Sequence, residues 1–235
     1  MSAEMPETQK IPKFLIVSTP KGGSGKSTAA RHLAVAAALL DGLSVATVDL
    51  DSQKTLTNWF AVRPEKARQI RHFEASMSAV DDIADMTGFD LVVVDTPPLT
   101  VSAVDAEDTE LADADEIRVR KLRTLIGFSD LVLVPCLQQH DDILSTVPWL
   151  HMLRAQGIKY ASLLSATNRR ALSFEEARRS LCAAGPLCPI DIPRLEDVAL
   201  AMKQGLTVTE VRKAKGADDW RAVWGYTKAQ LGFRA

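Results

Sequence analysis

The sequence predicts an α/β fold, with a single doubly wound and mostly parallel sheet that carries helices on both faces. Short apolar runs rich in β-branched residues recur along the chain, and they are continuously apolar rather than alternating. Such runs are typical of strands buried on both faces. Segments with apolar residues at helical spacing lie between the runs. This alternation of strand and helix favours a parallel sheet.

The predicted elements cover most of the chain. We place strands at 14–18, 45–48, 91–94, 131–134 and 161–165, with a further strand at 187–192. We place helices at 28–41, about 79–87, 116–127, 142–156, 173–184, 195–204 and 218–231. Because no internal repeat or low-complexity linker interrupts them, we expect one domain over residues 13–235, preceded by a flexible tail at 1–12.

Composition and charge narrow the class of protein. The chain has 235 residues, of which 46% are apolar and 25% charged, as in ordinary globular proteins. The net charge of −2 does not indicate a nucleic-acid binder overall, so any contact with DNA would need a local basic patch. The N-terminus lacks the apolar segment of a signal peptide, and no stretch reaches the ~18 apolar residues of a membrane span.

The three cysteines indicate a reducing compartment. Cys136, Cys182 and Cys188 are odd in number and contain no CxxC pair. We therefore expect neither a disulfide framework nor a zinc site.

A glycine-rich segment follows the first predicted strand and opens the first predicted helix. It ends in Gly25-Lys26-Ser27, like a phosphate-binding P-loop of the form G-x-x-x-x-G-K-[ST]. Pro20 replaces the first glycine of that pattern, and a second lysine, Lys21, follows it. Glycines let backbone N–H groups face phosphate oxygens, and a helix N-terminus attracts the same charge. The predicted nucleotide-binding loop consists of Lys21, Gly22, Gly23, Ser24, Gly25, Lys26, Ser27 and Thr28.

Acidic residues end two later strands. Asp49 and Asp51 follow the second strand, and Asp95 follows the third. Because strand ends in a parallel sheet open onto the same crevice, we expect these carboxylates near the loop. There Lys26 would neutralise the β- and γ-phosphates, Ser27 and Asp95 would hold Mg²⁺, and Asp49 or Asp51 would orient the attacking water. Taken alone, either segment is equally compatible with a turn or a helix cap.

Three segments together resemble the ParA/MinD family of P-loop ATPases. KGGSGKST resembles its deviant Walker A loop, VDLDSQKTLTNW its DxDPQ-type segment, and VVVDTPP its Walker B strand. The resemblance spans about residues 13–210 and implies a P-loop ATPase domain that uses ATP and Mg²⁺. It also implies an ATP-dependent homodimer in which Lys21 reaches the partner's nucleotide.

The resemblance assigns roles to individual residues. Catalytic roles fall to Lys21, Lys26 and Asp51, with Asp51 positioning the hydrolytic water. Metal binding falls to Ser27, Asp49 and Asp95. Asn168 would contact the adenine, although a simple turn residue is the alternative, and Pro193 and Arg194 would close the base pocket.

Two departures from the family pattern stand out. Ser52 replaces the usual proline before Gln53. The stretch between Pro98 and Asp130 is longer than in compact members, and within it residues 105–123 run from acidic to basic. This segment is either a solvated loop that enters a helix or a docking surface for a partner.

The family contains several functions, and the small ParA form fits best. Only about 13 residues precede the first strand, so we expect no fused operator-binding domain. Cys136 alone cannot supply a nitrogenase-type cluster, and a tyrosine-kinase tail is not expected with only two tyrosines, Tyr160 and Tyr226. Helix 218–231 could lie on a membrane, as in MinD, or dock on the sheet, which we favour. An ATP-coupled ligase is a third alternative.

The expected function is therefore ATP-driven partitioning of a plasmid, chromosome or other cargo. We expect a cytoplasmic, nucleoid-associated bacterial protein that binds DNA non-specifically and whose hydrolysis is stimulated by a ParB-like or cargo-bound activator. The candidate phosphate contacts are Lys203, Arg212, Lys213 and Lys215, with Arg169 and Arg170 as secondary candidates. A solvated basic turn is the alternative for this group.

Overall fold

The computed structural model describes residues 10–67, 69–98 and 113–234. Most of the predicted N-terminal tail, residues 1–9, and the first eight residues of segment 105–123, residues 105–112, lie outside this range.

The described residues form one six-stranded, wholly parallel sheet. Its strands are β1 (Lys13–Val17), β2 (Val45–Asp49), β3 (Arg71–Glu74), β4 (Leu91–Asp95), β5 (Leu131–Cys136) and β6 (Tyr160–Leu164). Their order is β3-β2-β4-β1-β5-β6, so the chain winds outward in both directions from the centre. In register, Asp95 lies opposite Val17 of β1 and opposite Asp49 of β2. The predicted doubly wound parallel sheet is confirmed.

Helices cover both faces of the sheet. They are α1 (Lys26–Asp41), α2 (Thr55–Ala61), α3 (Val80–Ala84), α4 (Asp113–Gly127), α5 (His140–Ala155), α6 (Leu172–Ala184), α7 (Glu196–Lys203) and α8 (Ala217–Leu231), with a 3₁₀ turn at Met77–Ala79. Side chains alternate between two cores: Leu15 and Val17 pack with α1, α2 and α8, whereas Phe14 and Ile16 pack with α3 to α6.

Two elements differ from the prediction. The predicted strand at 187–192 is wrong, since Leu187 and Pro193 make only isolated bridges to Ser162 and Thr167. The sixth strand is instead β3, an edge strand of sequence Arg-His-Phe-Glu whose residues are exposed or half-buried. Because it lacks a continuous apolar run, it carries no strong strand signal. The short helix α2, with only Leu56 and Trp59 buried, was also not predicted.

The C-terminal helix α8 packs against the domain, in the core that it shares with α1 and one face of the sheet. Trp220, Val223 and Trp224 are buried in the core shared with α1. The indole of Trp224 donates to Asp41 at 2.5 Å, and Lys228 pairs with the same carboxylate at 2.6 Å. The apolar face that a membrane helix would need is therefore covered. No helix among the described residues is both long and apolar enough to cross a membrane.

Candidate nucleotide-binding site

The glycine-rich loop leads from the end of β1 into the N-terminus of α1. Gly25 caps α1 with φ of 96°, and Gly23 has φ of 76°. Both lie in the left-handed region, which side chains with a Cβ rarely adopt. The two glycines lead the loop into the first turn of α1, whose free N–H groups are suited to bind an anion.

Lys26 is the first residue of α1 and is 6% exposed. Its Nζ donates to the backbone carbonyl of Lys21 at 3.2 Å, so the side chain folds back along the loop. Burial lowers the pKa of Lys26, and the nearby carboxylates of Asp95 and Asp51 act in the opposite direction. A desolvated ammonium held in this position matches the role of a P-loop lysine that neutralises phosphates.

Asp95 is fully buried at the end of β4, next to the loop. Neither of its carboxylate oxygens makes a hydrogen bond of good geometry with the described residues, although the facing Ser27 hydroxyl favours the charged form. Burial raises the pKa of Asp95 to about 7, with a further contribution from Asp49. A buried carboxylate without partners beside a serine hydroxyl fits Mg²⁺, because oxygen ligands are those that this ion prefers.

Asp49 is engaged by the protein itself. Its Oδ1 accepts the N–H of Asp51 at 3.0 Å, and its Oδ2 accepts both the N–H and the hydroxyl of Thr57 at 2.9 Å. These bonds join the end of β2 to the first turn of α2. The position of Asp49 is thus set by α2, and its carboxylate holds the intervening turn in place.

Asp51 is half-buried at the mouth of a cleft in front of the loop. Its Oδ1 accepts the N–H of Gln53 at 2.9 Å, and the residue lines the cleft. The cleft is lined by Gly22, Gly23, Gly25, Lys26, Ser27, Thr28, residues 50–55 and 74–78, Pro97, Pro98, Ile117 and Arg118. The structure therefore brings the predicted loop and Asp51 to one surface.

Lys21 forms an ion pair within its own chain. Its Nζ lies 3.0 Å from Oδ2 of Asp142, a residue of α5 that is 3% exposed. The Lys21 side chain itself is 42% exposed. Its departure would leave the buried Asp142 carboxylate, whose Oδ1 lacks a hydrogen-bond partner among the described residues, without a counter-charge.

The predicted base-binding residues gather at the end of β6. The N–H of Arg194 donates to the carbonyl of Thr167 at 3.1 Å, so Pro193 and Arg194 lie beside Asn168. Ala166 has φ of 49°, an unfavourable value for alanine. The buried side chain of Gln138 accepts the N–H of Asn168 at 2.6 Å.

This group of residues adjoins the loop but not the cleft. A Cβ on Gly25 would lie 3.8 Å from Ser165, so the end of β6 contacts the loop directly. Asn168, Pro193 and Arg194 are not among the described residues that line the cleft.

The basic residues proposed for DNA lie elsewhere on the surface. Lys203, Arg212, Lys213 and Lys215 are exposed, and the described structure shows no ion pair for any of them. Lys213 has φ of 62°, and the N–H of Lys215 donates to Asp197 at 2.8 Å. The basic turn therefore has a defined backbone. Arg169, by contrast, pairs with Asp191 at 3.0 Å.

The family follows from this arrangement and from sequence comparison. Residues 15–213 match the family described as "CobQ/CobB/MinD/ParA nucleotide binding domain". The chain belongs to this family. The ParA/MinD resemblance of the loop and of the two acidic segments is thereby confirmed.

Relatives within and around the ParA/MinD family support this assignment. The chain is 34% identical over 110 residues to "Maintenance of carboxysome distribution protein A" of Gloeobacter kilaueensis, covering 46% of this chain and 50% of the relative. It thus spans about half the length of the curated relative that it matches.

Two solved structures share the fold. MinD of Pyrococcus horikoshii OT3, complexed with Mg-ADP, is 15% identical with a TM-score of 0.68, over 95% of this chain and 99% of that one. A variant of McdA from Cyanothece, complexed with ATP, is 16% identical with a TM-score of 0.66, over 96% and 98%.

In this ParA/MinD-family chain, several site residues carry no recognisable sequence signal. Thr57 and Asp142 contact Asp49 and Lys21, and Gln138 contacts the Asn168 backbone. Their pairing depends on contacts between distant elements.

Proposed function

We propose that this chain is a ParA-type ATPase that works as an ATP-dependent dimerising switch. In this proposal ATP and Mg²⁺ favour a homodimer that binds DNA non-specifically, and hydrolysis returns the protein to monomers. A cargo-bound partner stimulates hydrolysis, and the protein distributes its cargo over the nucleoid of a bacterial cell. Family membership supports nucleotide binding, and the relative named for carboxysome distribution supports a positioning role.

The observation that carries the proposal is the pair of lysines in one loop. Lys26 is buried and lines the cleft, whereas Lys21 is not among the described residues that line it and pairs with Asp142 of α5. A single subunit thus needs only Lys26 at its own phosphates. Lys21 would leave Asp142 and serve a second nucleotide, in the manner of an arginine finger supplied by a partner.

Each of the remaining site residues would have its own role in nucleotide binding or hydrolysis. Backbone N–H groups of residues 22–28 would bind the phosphate oxygens, and Lys26 would neutralise their charge. Ser27 and Asp95, with Asp49 behind them, would hold Mg²⁺, which supplies charge neutralisation when bound. Asp51 would orient the attacking water from the cleft side. Asn168, Pro193 and Arg194 would bind the base.

DNA binding rests on the exposed turn Arg212–Lys215 together with Lys203. Contacts of this kind are made to phosphates, and they are therefore independent of sequence and sensitive to salt. The turn lies outside the nucleotide cleft, so DNA and nucleotide would not compete for the same residues.

One experiment tests the whole proposal. The purified chain is mixed with ATP and Mg²⁺ and with either non-specific duplex DNA or anionic liposomes, at roughly 50 and 200 mM salt. We expect DNA binding that requires ATP and weakens at the higher salt. Binding to liposomes but not DNA would support a MinD-like regulator instead. Binding to neither, with rapid ATP turnover by the chain alone, would support an ATP-coupled ligase.

Three variants test which residues are responsible for nucleotide binding, dimerisation and DNA binding. Lys26→Ala should abolish nucleotide binding, and Lys21→Ala should bind ATP yet remain monomeric. Lys213→Glu with Lys215→Glu should lose DNA and keep ATP. Lys159→Glu is the matched control for charge reversal, since Lys159 precedes β6 at the opposite edge of the sheet from the loop.

A further inference from the structure

Arg31 is a charged side chain buried inside α1. It is 2% exposed, and the apolar run Leu33–Ala38 follows it along the same helix. Its Nη2 donates to the hydroxyl of Thr28 at 3.0 Å. The other two nitrogens, Nε and Nη1, are buried without a hydrogen-bond partner among the described residues.

Such an arrangement is costly in a protein interior. A guanidinium does not give up its proton under ordinary conditions, so burial leaves a charge that water no longer solvates. Burial lowers the pKa of Arg31 to about 10, and the negative charge of Asp95 opposes this shift. Asp95 is itself buried and makes no hydrogen bond to Arg31. The cost is therefore only partly offset within the protein.

The position of Arg31 indicates which group could offset the remaining cost of burying its charge. Thr28 is the third residue of α1 and lines the cleft, and Arg31 lies one turn further along on the same side of the helix. The guanidinium thus sits behind the end of α1 that faces the nucleotide. Its one hydrogen bond leads directly to a hydroxyl in the cleft wall.

The charges around the cleft make a buried cation useful. Three carboxylates, those of Asp49, Asp51 and Asp95, lie at this edge of the sheet. Lys26 is the cation of the loop that faces them, because Lys21 is paired with Asp142. Asp95 interacts electrostatically with both Lys26 and Arg31, so Arg31 adds a second positive charge beside Lys26 at a site that would accept a polyanion.

We propose that Arg31 is a positioning residue for the nucleotide, which orients the Thr28 hydroxyl and places a fixed positive charge behind the phosphate site. The inference rests on the nucleotide binding of the proposed function, but not on DNA binding or dimerisation. It predicts that Arg31 contributes to recognition of the phosphates and not of the nucleoside. A purely structural arginine would instead stabilise the fold and affect all ligands alike.

The test compares ATP, ADP and adenosine binding to the wild type, Arg31→Met, Arg31→Gln and Arg31→Lys by titration calorimetry. Met removes the charge and retains the length, Gln retains a donor for Thr28, and Lys retains the charge. We expect Met and Gln to weaken ATP binding roughly tenfold and ADP binding less, with adenosine unchanged within twofold. Lys should restore most of the ATP affinity.

The melting temperature of the free protein supplies the second readout. Because removal of an unpartnered buried charge relieves the fold, Arg31→Met should melt at or above the wild-type temperature without nucleotide, and gain less on adding ATP. Arg178→Met is the control, since Arg178 is an exposed arginine over the ring of Phe174 and should leave ATP affinity unchanged.

Two outcomes would overturn the inference. One is wild-type ATP affinity in Arg31→Met; the other is an equal loss of ATP and adenosine affinity with a lower melting temperature. Should Arg31→Met not fold, Arg31→Gln carries the same comparison. If the wild type binds no ATP, the proposed function fails together with the inference, whereas normal wild-type binding with an unaffected variant removes the inference alone.

Discussion

The Nζ of Lys21 lies 3.0 Å from Oδ2 of Asp142, so the front lysine of the loop is held by its own subunit. The two residues are 121 positions apart, and the contact joins the loop to the first turn of α5. Under the proposed function, Lys21 must leave this carboxylate to reach a partner's nucleotide. The ion pair therefore opposes dimerisation.

Weakening this pair should favour the dimer. An exposed ion pair is worth up to about 1 kcal/mol, or roughly fivefold in an equilibrium constant. Because Asp142 is buried, the loss of its partner costs more than this, so fivefold is a lower bound for the effect of the pair. We expect Asp142→Asn to dimerise at correspondingly lower protein concentration with a non-hydrolysable ATP analogue, as measured by sedimentation velocity. Asp141→Asn is the control, because Asp141 is an exposed neighbour on the same helix turn. Weaker dimerisation of Asp142→Asn would show that the carboxylate serves the dimer instead.

Substitution of Asp51 should slow ATP hydrolysis while leaving ATP binding nearly unchanged. It lies at the cleft and its Oδ1 is held by the Gln53 N–H, so substitution leaves the loop and Lys26 in place. We expect Asp51→Asn to bind ATP with an affinity within a few-fold of the wild type and to hydrolyse it roughly a hundredfold more slowly. Single-turnover phosphate release and equilibrium binding measure the two quantities. Equal losses of both would place Asp51 in nucleotide binding.

Gly205 should be intolerant of a side chain because it packs against a backbone. It has φ of 65°, and a Cβ there would lie 2.4 Å from the Cα of Arg63. This contact, with the buried Arg63–Glu210 pair at 2.6 Å, attaches the segment before the basic turn to α2. We expect Gly205→Ala to lower the free energy of unfolding by about 3 kcal/mol, the sum of left-handed strain and steric overlap.

Gly157→Ala is the matched control for this substitution. Gly157 has φ of 68° but meets nothing within 4 Å, so only the strain of about 1 kcal/mol applies. Urea denaturation of both variants gives the comparison. An equal loss of unfolding free energy in the two variants would mean that the backbone after α2 moves to accommodate the added methyl group.

His32 should make stability depend on pH. It is buried on the ring of Trp220, and the bonds of its two nitrogens to Thr28 and Val208 fit the neutral ring. Burial, followed by the charge of Arg31, lowers its pKa to about 3, from 6.5. Between these values the unfolded chain binds the extra proton. Stability is therefore lost as the pH falls from 6.5 toward 3, at about 1.4 kcal/mol per pH unit.

The measurement compares urea unfolding of the wild type and His32→Asn between pH 7.5 and 4.5. We expect the wild type to lose roughly 2.7 kcal/mol more than the variant over this range. His151→Asn, at an exposed position of α5, should retain the wild-type slope. Parallel slopes for wild type and His32→Asn would show that the buried ring accepts a proton without cost.

The glycine-rich loop and the acidic residues near it were predictable because each is defined by a short contiguous stretch of sequence. Gly25-Lys26-Ser27 is read from a strand, a turn and a helix that are contiguous. Asp49 and Asp95 end buried parallel strands, and such ends share one edge whatever the strand order. The parallel sheet followed from the same continuous apolar runs. The role of each residue toward ATP, Mg²⁺ and a partner stays a prediction.

Contacts between distant segments could not be predicted from the sequence, since no local pattern encodes them. The edge strand β3 was not predicted because a half-exposed strand needs no apolar run. Residues 187–192, beside β6 at the other edge, form isolated bridges rather than a strand, because pairing depends on neighbours in space. Likewise, only the packing of α5 against the loop shows that Lys21 meets Asp142. Only the burial of α1 shows that Nε and Nη1 of Arg31 lack hydrogen-bond partners among the described residues. Sequence periodicity identifies which residues lie inside, whereas the pairing of charges depends on which elements tertiary packing brings together.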